Sequence, residues 1–234
     1  MKKLLIISAL FCGLLCSAQD MYFTTYNFTV EPHNVDAVFN LMDNYFSKNK
    51  PEGVTVSLYE NHFNDSGHNF THGVVFSGSL DALADMYSGG DDAWNLFLTK
   101  VNQQTEDGFS ALSGRVISNH GDADAGPYRF QRYYLLDVDD MSKFESAHNE
   151  YMKDNLPEGM TNSMGNISLG RGADGANVWV IARFKDFKSA LGGAYVLRTE
   201  AERKASNEAW KKRSADNGEV SLVRSGLRIL LKSW

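Results

Sequence analysis

Pro51-Glu52-Gly53-Val54-Thr55-Val56-Ser57 is written a second time as Pro157-Glu158-Gly159-Met160-Thr161-Asn162-Ser163, 157 − 51 = 106 residues downstream. A short match arises easily by chance. A gapless register carried through several elements does not, and self-similarity at a fixed period marks a duplicated architecture. The same offset pairs Tyr22 with Tyr128, Tyr26 with Arg132, Val30 with Leu136, Val35 with Met141, Val38 with Phe144, Met42 with His148 and Tyr45 with Tyr151. Further on it pairs Val74-Val75 with Val180-Ile181, and Ser113-Gly114-Arg115 resembles Ser225-Gly226-Leu227-Arg228 after a change of length. Between the copies, Gly121-Asp122-Ala123-Asp124-Ala125-Gly126-Pro127 has the composition of a linker. The expected organisation is a leader over 1–18, copy one over 19–120, the linker over 121–127 and copy two over 128–234.

Working outward from the repeat, each copy shows one order of elements. Tyr22, Tyr26, Phe28 and Val30 recur at even spacing and predict a strand over 22–30. Asn34 is placed to cap a helix whose apolar positions Val35, Val38, Leu41, Met42, Tyr45 and Phe46 are spaced by three and four. Pro51-Glu52-Gly53 ends it. Strands over 54–63 and 68–76 flank the turn Asn64-Asp65-Ser66-Gly67. Helices follow over 79–87 and 91–104, then a strand over 109–117. Copy two predicts strands over 128–136, 161–169, 177–184 and 220–231, a helix over 141–152 and helices through 186–213. Its last helical stretch, Thr199–Arg213, is highly charged and reads as a solvated face.

Lys2-Lys3, the apolar run Leu4–Leu15 and the small residues Cys16-Ser17-Ala18 form the three parts of a secretion signal cut near Ala18/Gln19. The run is too short for the roughly 20 residues that span a bilayer. Cys16 follows Leu14-Leu15, a poor context for lipid attachment. Both cysteines, Cys12 and Cys16, lie in this leader, so the mature chain has no disulfide and no thiolate. Without Lys2 and Lys3 the count is 21 basic against 29 acidic residues, a net charge of −8. That surface repels phosphate backbones, so nucleic acid is not an expected partner. The expected location is the periplasm or the medium.

The order β-α-β-β-α-β is that of the ferredoxin-like unit. Two such units in one chain resemble the tandem α+β barrel (dimeric α+β barrel) superfamily, in which two sheets enclose a common interior. The resemblance implies a pseudo-two-fold α+β barrel. The superfamily includes monooxygenases of the antibiotic-biosynthesis type, haem-degrading enzymes, chlorite-dismutase-like haem proteins and members without known activity, so fold does not fix function. His148 stands on the stripe Met141, Phe144, His148, Tyr151 and Met152, where copy one has Met42. Haem proteins of the superfamily take an axial histidine from a helix in the second half, so the resemblance makes His148 the candidate for a non-covalent haem.

Arg132, Arg183, Arg115 and Arg228 fall in predicted strands, and those facing the interior are candidates to hold an anion. His62, His68 and His72 cluster with Glu60 at the first hairpin. A turn centred on Asp65-Ser66 sets Tyr59 opposite His72 and sends His62 and Glu60 to one face, His68 and His72 to the other. Three ligands then cannot meet the roughly 2 Å shell that zinc demands, and no metal site is expected. No Gly-x-Ser-x-Gly occurs, and Gly170-Arg171-Gly172 does not open a helix as phosphate loops do. Tyr22, Tyr26, Phe28, Tyr133, Tyr134 and Trp179 serve equally for packing or for gripping an aromatic substrate.

With no motif converging on a reactive centre, the expected function is an exported, non-catalytic binding or interaction module for an unknown small molecule or envelope protein. The alternative is an α+β barrel enzyme of the monooxygenase or haem type. The candidate ligand residues are His148, Arg132, Tyr151 and Arg183, in a pocket expected to be built mainly around copy two. If Arg132→Tyr and His148→Met, the aligned copy-one residues, leave folding intact or improve it, the polar groups are kept for binding rather than for stability.

Overall fold

Glycine explains why the repeated heptapeptide survives in both copies. Gly53 and Gly159 sit at φ of 69° and 81°, the left-handed region that L side chains rarely adopt. Each turns the chain from the end of a helix into the next strand. The computed structural model describes residues 20–64, 70–122, 128–171 and 175–234. The leader with Cys16, His68, and most of the linker lie outside the described residues.

Copy one runs β1 (Tyr22–Val30), α1 (Val35–Asn49), β2 (Val54–Phe63), β3 (His72–Gly78), α2 (Leu80–Ser88), α3 (Asp92–Asn102) and β4 (Thr105–His120). Copy two runs β5 (Phe130–Val138), α4 (Met141–Asn155), β6 (Met160–Asn166), β7 (Val178–Phe184), α5 (Phe187–Gly192), α6 (Glu200–Asp216) and β8 (Val220–Ser233). Side-chain caps start the helices: Ser79 Oγ accepts from the Ala82 amide at 3.1 Å, and Asp91 Oδ1 from Trp94 at 2.7 Å. Asp186 Oδ1 accepts from Ser189 at 2.8 Å, and Thr199 and Glu202 form a capping box. Asn34 holds the cap position of α1, but its side chain donates to the Gln104 carbonyl instead.

The strands close into an antiparallel barrel in the order β1-β3-β2-β8-β5-β7-β6-β4. The chain is thus an α+β protein of two tandem ferredoxin-like repeats forming a pseudo-two-fold barrel. Two seams join the copies, β2 to β8 and β4 to β6. Strand alternation gives every strand a helix-facing side and an inward side. On the first, Val54, Val56 and Leu58 pack with Val38, Met42 and Phe46 of α1. On the second, Phe23 of copy one meets Trp179 of copy two edge to face, 5.4 Å between rings, above Val75, Leu112 and Ile181.

Two registers differ from the sequence reading. Helices α1 and α4 keep the offset of 106, but β1 and β5 are offset by 130 − 22 = 108. The connection 31–34 of copy one is two residues longer than 139–140 of copy two. Val30 and Leu136 therefore lie on equivalent strands two places apart. Because the shift is even, facing is preserved. Tyr26 corresponds to Tyr134, and Arg132 to Thr24. In the first hairpin Glu60, not Tyr59, pairs with His72. His72 thus shares a face with Glu60 and stacks on Phe28 at 6.1 Å.

Candidate functional site

Each copy holds a cavity between its helices and the helix-facing side of its sheet, of about 1030 Å³ in copy one and about 590 Å³ in copy two. The larger of the two is in copy one. Tyr26, Tyr45, Phe76, Trp94 and Phe97 line it, and Tyr87 reaches over to hydrogen-bond the Tyr26 hydroxyl at 2.8 Å. The smaller cavity carries charge. His148, Tyr151, Arg198, Trp210 and Arg213 line it along with Arg132.

His148 projects from α4 and is 1% exposed. Its Nε2–H donates to Asn162 Oδ1 of β6 at 2.8 Å, and its Nδ1 accepts from Arg213 Nη2 of α6 at 3.3 Å. Burial, then the Arg213 charge, depress its pKa from 6.5 to about 4 against the opposing hydrogen bond to Asn162, with His120 lowering it further. The imidazole is therefore neutral at pH 7. Arg213 is 8% exposed, lies over the Trp210 ring at 4.4 Å, and keeps a buried Nε–H with no partner. Among the described residues no carboxylate pairs with it.

The other candidate residues divide. The Tyr151 hydroxyl meets Ser206 Oγ at 2.8 Å and accepts from Arg198 at 3.4 Å. Arg132 touches the cavity wall, but its guanidinium is spent on the carbonyls of Ala190 and Leu191, closing the C-terminal end of α5. Its partner is a helix end rather than a carboxylate. Arg183 faces away from the cavity, into the barrel. Arg115 pairs with Asp20 on the surface at 3.2 Å. His72 is buried and its Nδ1 bonds Thr71 Oγ1 at 2.9 Å, while His62 bonds Glu60 at 3.1 Å. Among the described residues no group of three or more histidine, cysteine or acidic side chains comes together as a metal site. None of the described helices is long and apolar enough to cross a membrane.

Arg213 was hidden in the charged run read as a solvated face. The signal present is a stripe: Ser206, Arg213 and Asn217, spaced by seven and four, are the positions α6 and its end bury.

No family model and no curated protein matches the chain. Solved structures do. An anthrone oxidase-like protein aligns with a TM-score of 0.58 and 14% identity over 92% of this chain and 93% of its own. A protein assigned as a monooxygenase from Fusobacterium nucleatum aligns with 0.59 and 15% identity over 92% and 94%. A chlorite dismutase variant from Candidatus Nitrospira defluvii aligns with 0.53 and 11% identity over 91% and 92%. The fold is the tandem ferredoxin-like α+β barrel these proteins share. Their names are enzyme names, and they overturn the expectation of a non-catalytic binding module in favour of the enzyme alternative.

Haem is the cofactor the chlorite-dismutase likeness raises. The residues present do not fit it as they stand. Nε2 of His148 carries the proton donated to Asn162, and Nδ1 accepts from a cationic guanidinium, so neither nitrogen offers a lone pair to iron.

Proposed function

We propose that this chain is an oxidoreductase of the monooxygenase type that acts on a flat, acidic organic molecule held in the copy-two cavity. One observation carries the reading: Arg213 lines a cavity as a buried cation with an unsatisfied Nε–H and, among the described residues, no carboxylate beside it. A buried charge without a partner costs several kcal/mol, and a bound anion offsets that cost. Trp210, about half exposed, offers a flat surface against which an aromatic ring lies. His148 is a positioning residue: it accepts from one arm of Arg213 and fixes the guanidinium beside the cavity. A fixed guanidinium lowers the pKa of a bound phenol or enol and holds the electron-rich anion, the form that reacts with dioxygen. The names of the oxidase-like and monooxygenase neighbours support that class of oxidant. The leader supports action outside the cytoplasm, and N-terminal sequencing of the mature protein tests cleavage near Gln19.

Oxygen uptake against a panel of anthrones and acidic phenols tests the activity. Arg213→Met is expected to cut kcat/KM by about a hundredfold or more while leaving thermal stability equal or higher, since apolar replacement of a buried ion is often neutral or stabilising. Oxygen uptake that Arg213→Met leaves unchanged would sink the proposal. A haemin-dependent Soret band that vanishes in His148→Ala would place the chain with the haem proteins instead.

A further inference from the structure

The barrel interior is apolar at one end and cationic at the other. Arg183 on β7 pairs in register with Gln131 on β5, and Gln131 pairs with Arg228 on β8. Two arginines therefore flank one glutamine on adjacent strands, all three pointing inward, with their backbones roughly 10 Å apart. Gln131 is 2% exposed. Arg228 Nε donates to Gln131 Oε1 at 3.1 Å, and its guanidinium lies over the Tyr59 ring at 4.0 Å. Arg183 Nη1 donates to Ser163 Oγ at 2.5 Å. Among the described residues neither arginine has a carboxylate within ion-pair distance. Glu60, one place along from Tyr59, points to the opposite face of β2. Burial disfavours the charge on both guanidiniums, and Arg183 also feels the charge of Arg228. Two buried like charges without a counter-ion cost free energy.

We propose that this row is an anion site inside the barrel, in which Arg183 and Arg228 share one small oxyanion, a carboxylate or an inorganic tetrahedral anion. Guanidinium forks bind such groups through paired N–H donors. The site is separated from the Arg213 cavity by the sheet itself and does not depend on the oxidoreductase reading.

Thermal melts and calorimetry test it in a buffer free of chloride and phosphate, with inorganic phosphate, sulfate and acetate added separately. The wild-type melting temperature is expected to rise saturably with at least one of them. Phosphate against acetate tells an inorganic ligand from a carboxylate. Arg183→Gln and Arg228→Gln are each expected to weaken the affinity by about tenfold or more, and Arg213→Gln to leave it unchanged. Without added anion, Arg183→Gln is expected to melt no lower than wild type, because a repulsion has been removed. Where Arg228→Gln does not fold, Arg228→Lys takes its place, keeping the charge but losing the planar fork. No saturable response to any of the three anions overturns the proposal, as does a response that survives in both barrel variants or disappears in Arg213→Gln.

Discussion

At the scale of the residue, His148 was visible before the fold was known, as a polar group where the other copy has Met42. Arg213 was not, because a lysine- and arginine-rich helix end looks solvated until its neighbours are placed. The pair gives a pH signature. His148 has a folded pKa of about 4 against an ordinary 6.5, with Arg213 facing it from α6, His120 from β4 and Asn162 from β6. The folded state prefers the neutral ring, so its contribution is complete above pH 6.5 and is lost as pH falls toward 4. Across that window the loss is about 3 kcal/mol at most. Wild-type melting temperature is expected to drop more steeply between pH 6.5 and 4 than that of His148→Met. Parallel curves for the two proteins would show that the imidazole does not carry the effect.

At the scale of the element, strands and helices were legible from periodicity because each is half-buried. Strand β1 and helix α1 carry the expected pattern, and the proline-glutamate-glycine turn marks the helix stop in both copies. The strand-to-helix connections were not legible. Two extra residues before α1 leave hydrophobic facing intact, so a gapless alignment could not detect them, and Arg132 was matched to Tyr26 instead of Thr24. The end of α5 was equally hidden, since the carbonyls Arg132 satisfies come from residues 58 and 59 positions away. That contact gives Arg132 a structural role. Arg132→Ala is expected to cost about 1–3 kcal/mol by leaving two helix-end carbonyls unpaired. Faster amide exchange confined to α5 and the turn after it would confirm the assignment, and unchanged exchange there would refute it.

At the scale of the whole molecule, the two halves are held by strand pairing across the seams. The chain's end takes part: Trp234 exchanges backbone hydrogen bonds with Val56, and its indole N–H donates to Asp43 at 2.9 Å. Lys232 and Trp234 together hold the Asp43 carboxyl well below its ordinary range. Copy one expressed alone would expose two unpaired edges, β2 and β4. Open edges recruit partners, so residues 20–120 are expected to dimerise or aggregate. Light scattering checks this, and a stable monomer would contradict it.

The place of β8 in the ring has a consequence for biosynthesis. This last strand of 14 residues lies between β2 and β5, so one segment completes both halves. While it is still being translated, the β2 edge lacks its partner and the ring is open. Helix–sheet packing within the first copy is free to begin early, but closure waits until residues 220–233 have left the ribosome. Any reading-frame loss within the codons for residues 220–233 is then felt not only beside helix α6 but at β2, some 170 residues earlier in the chain.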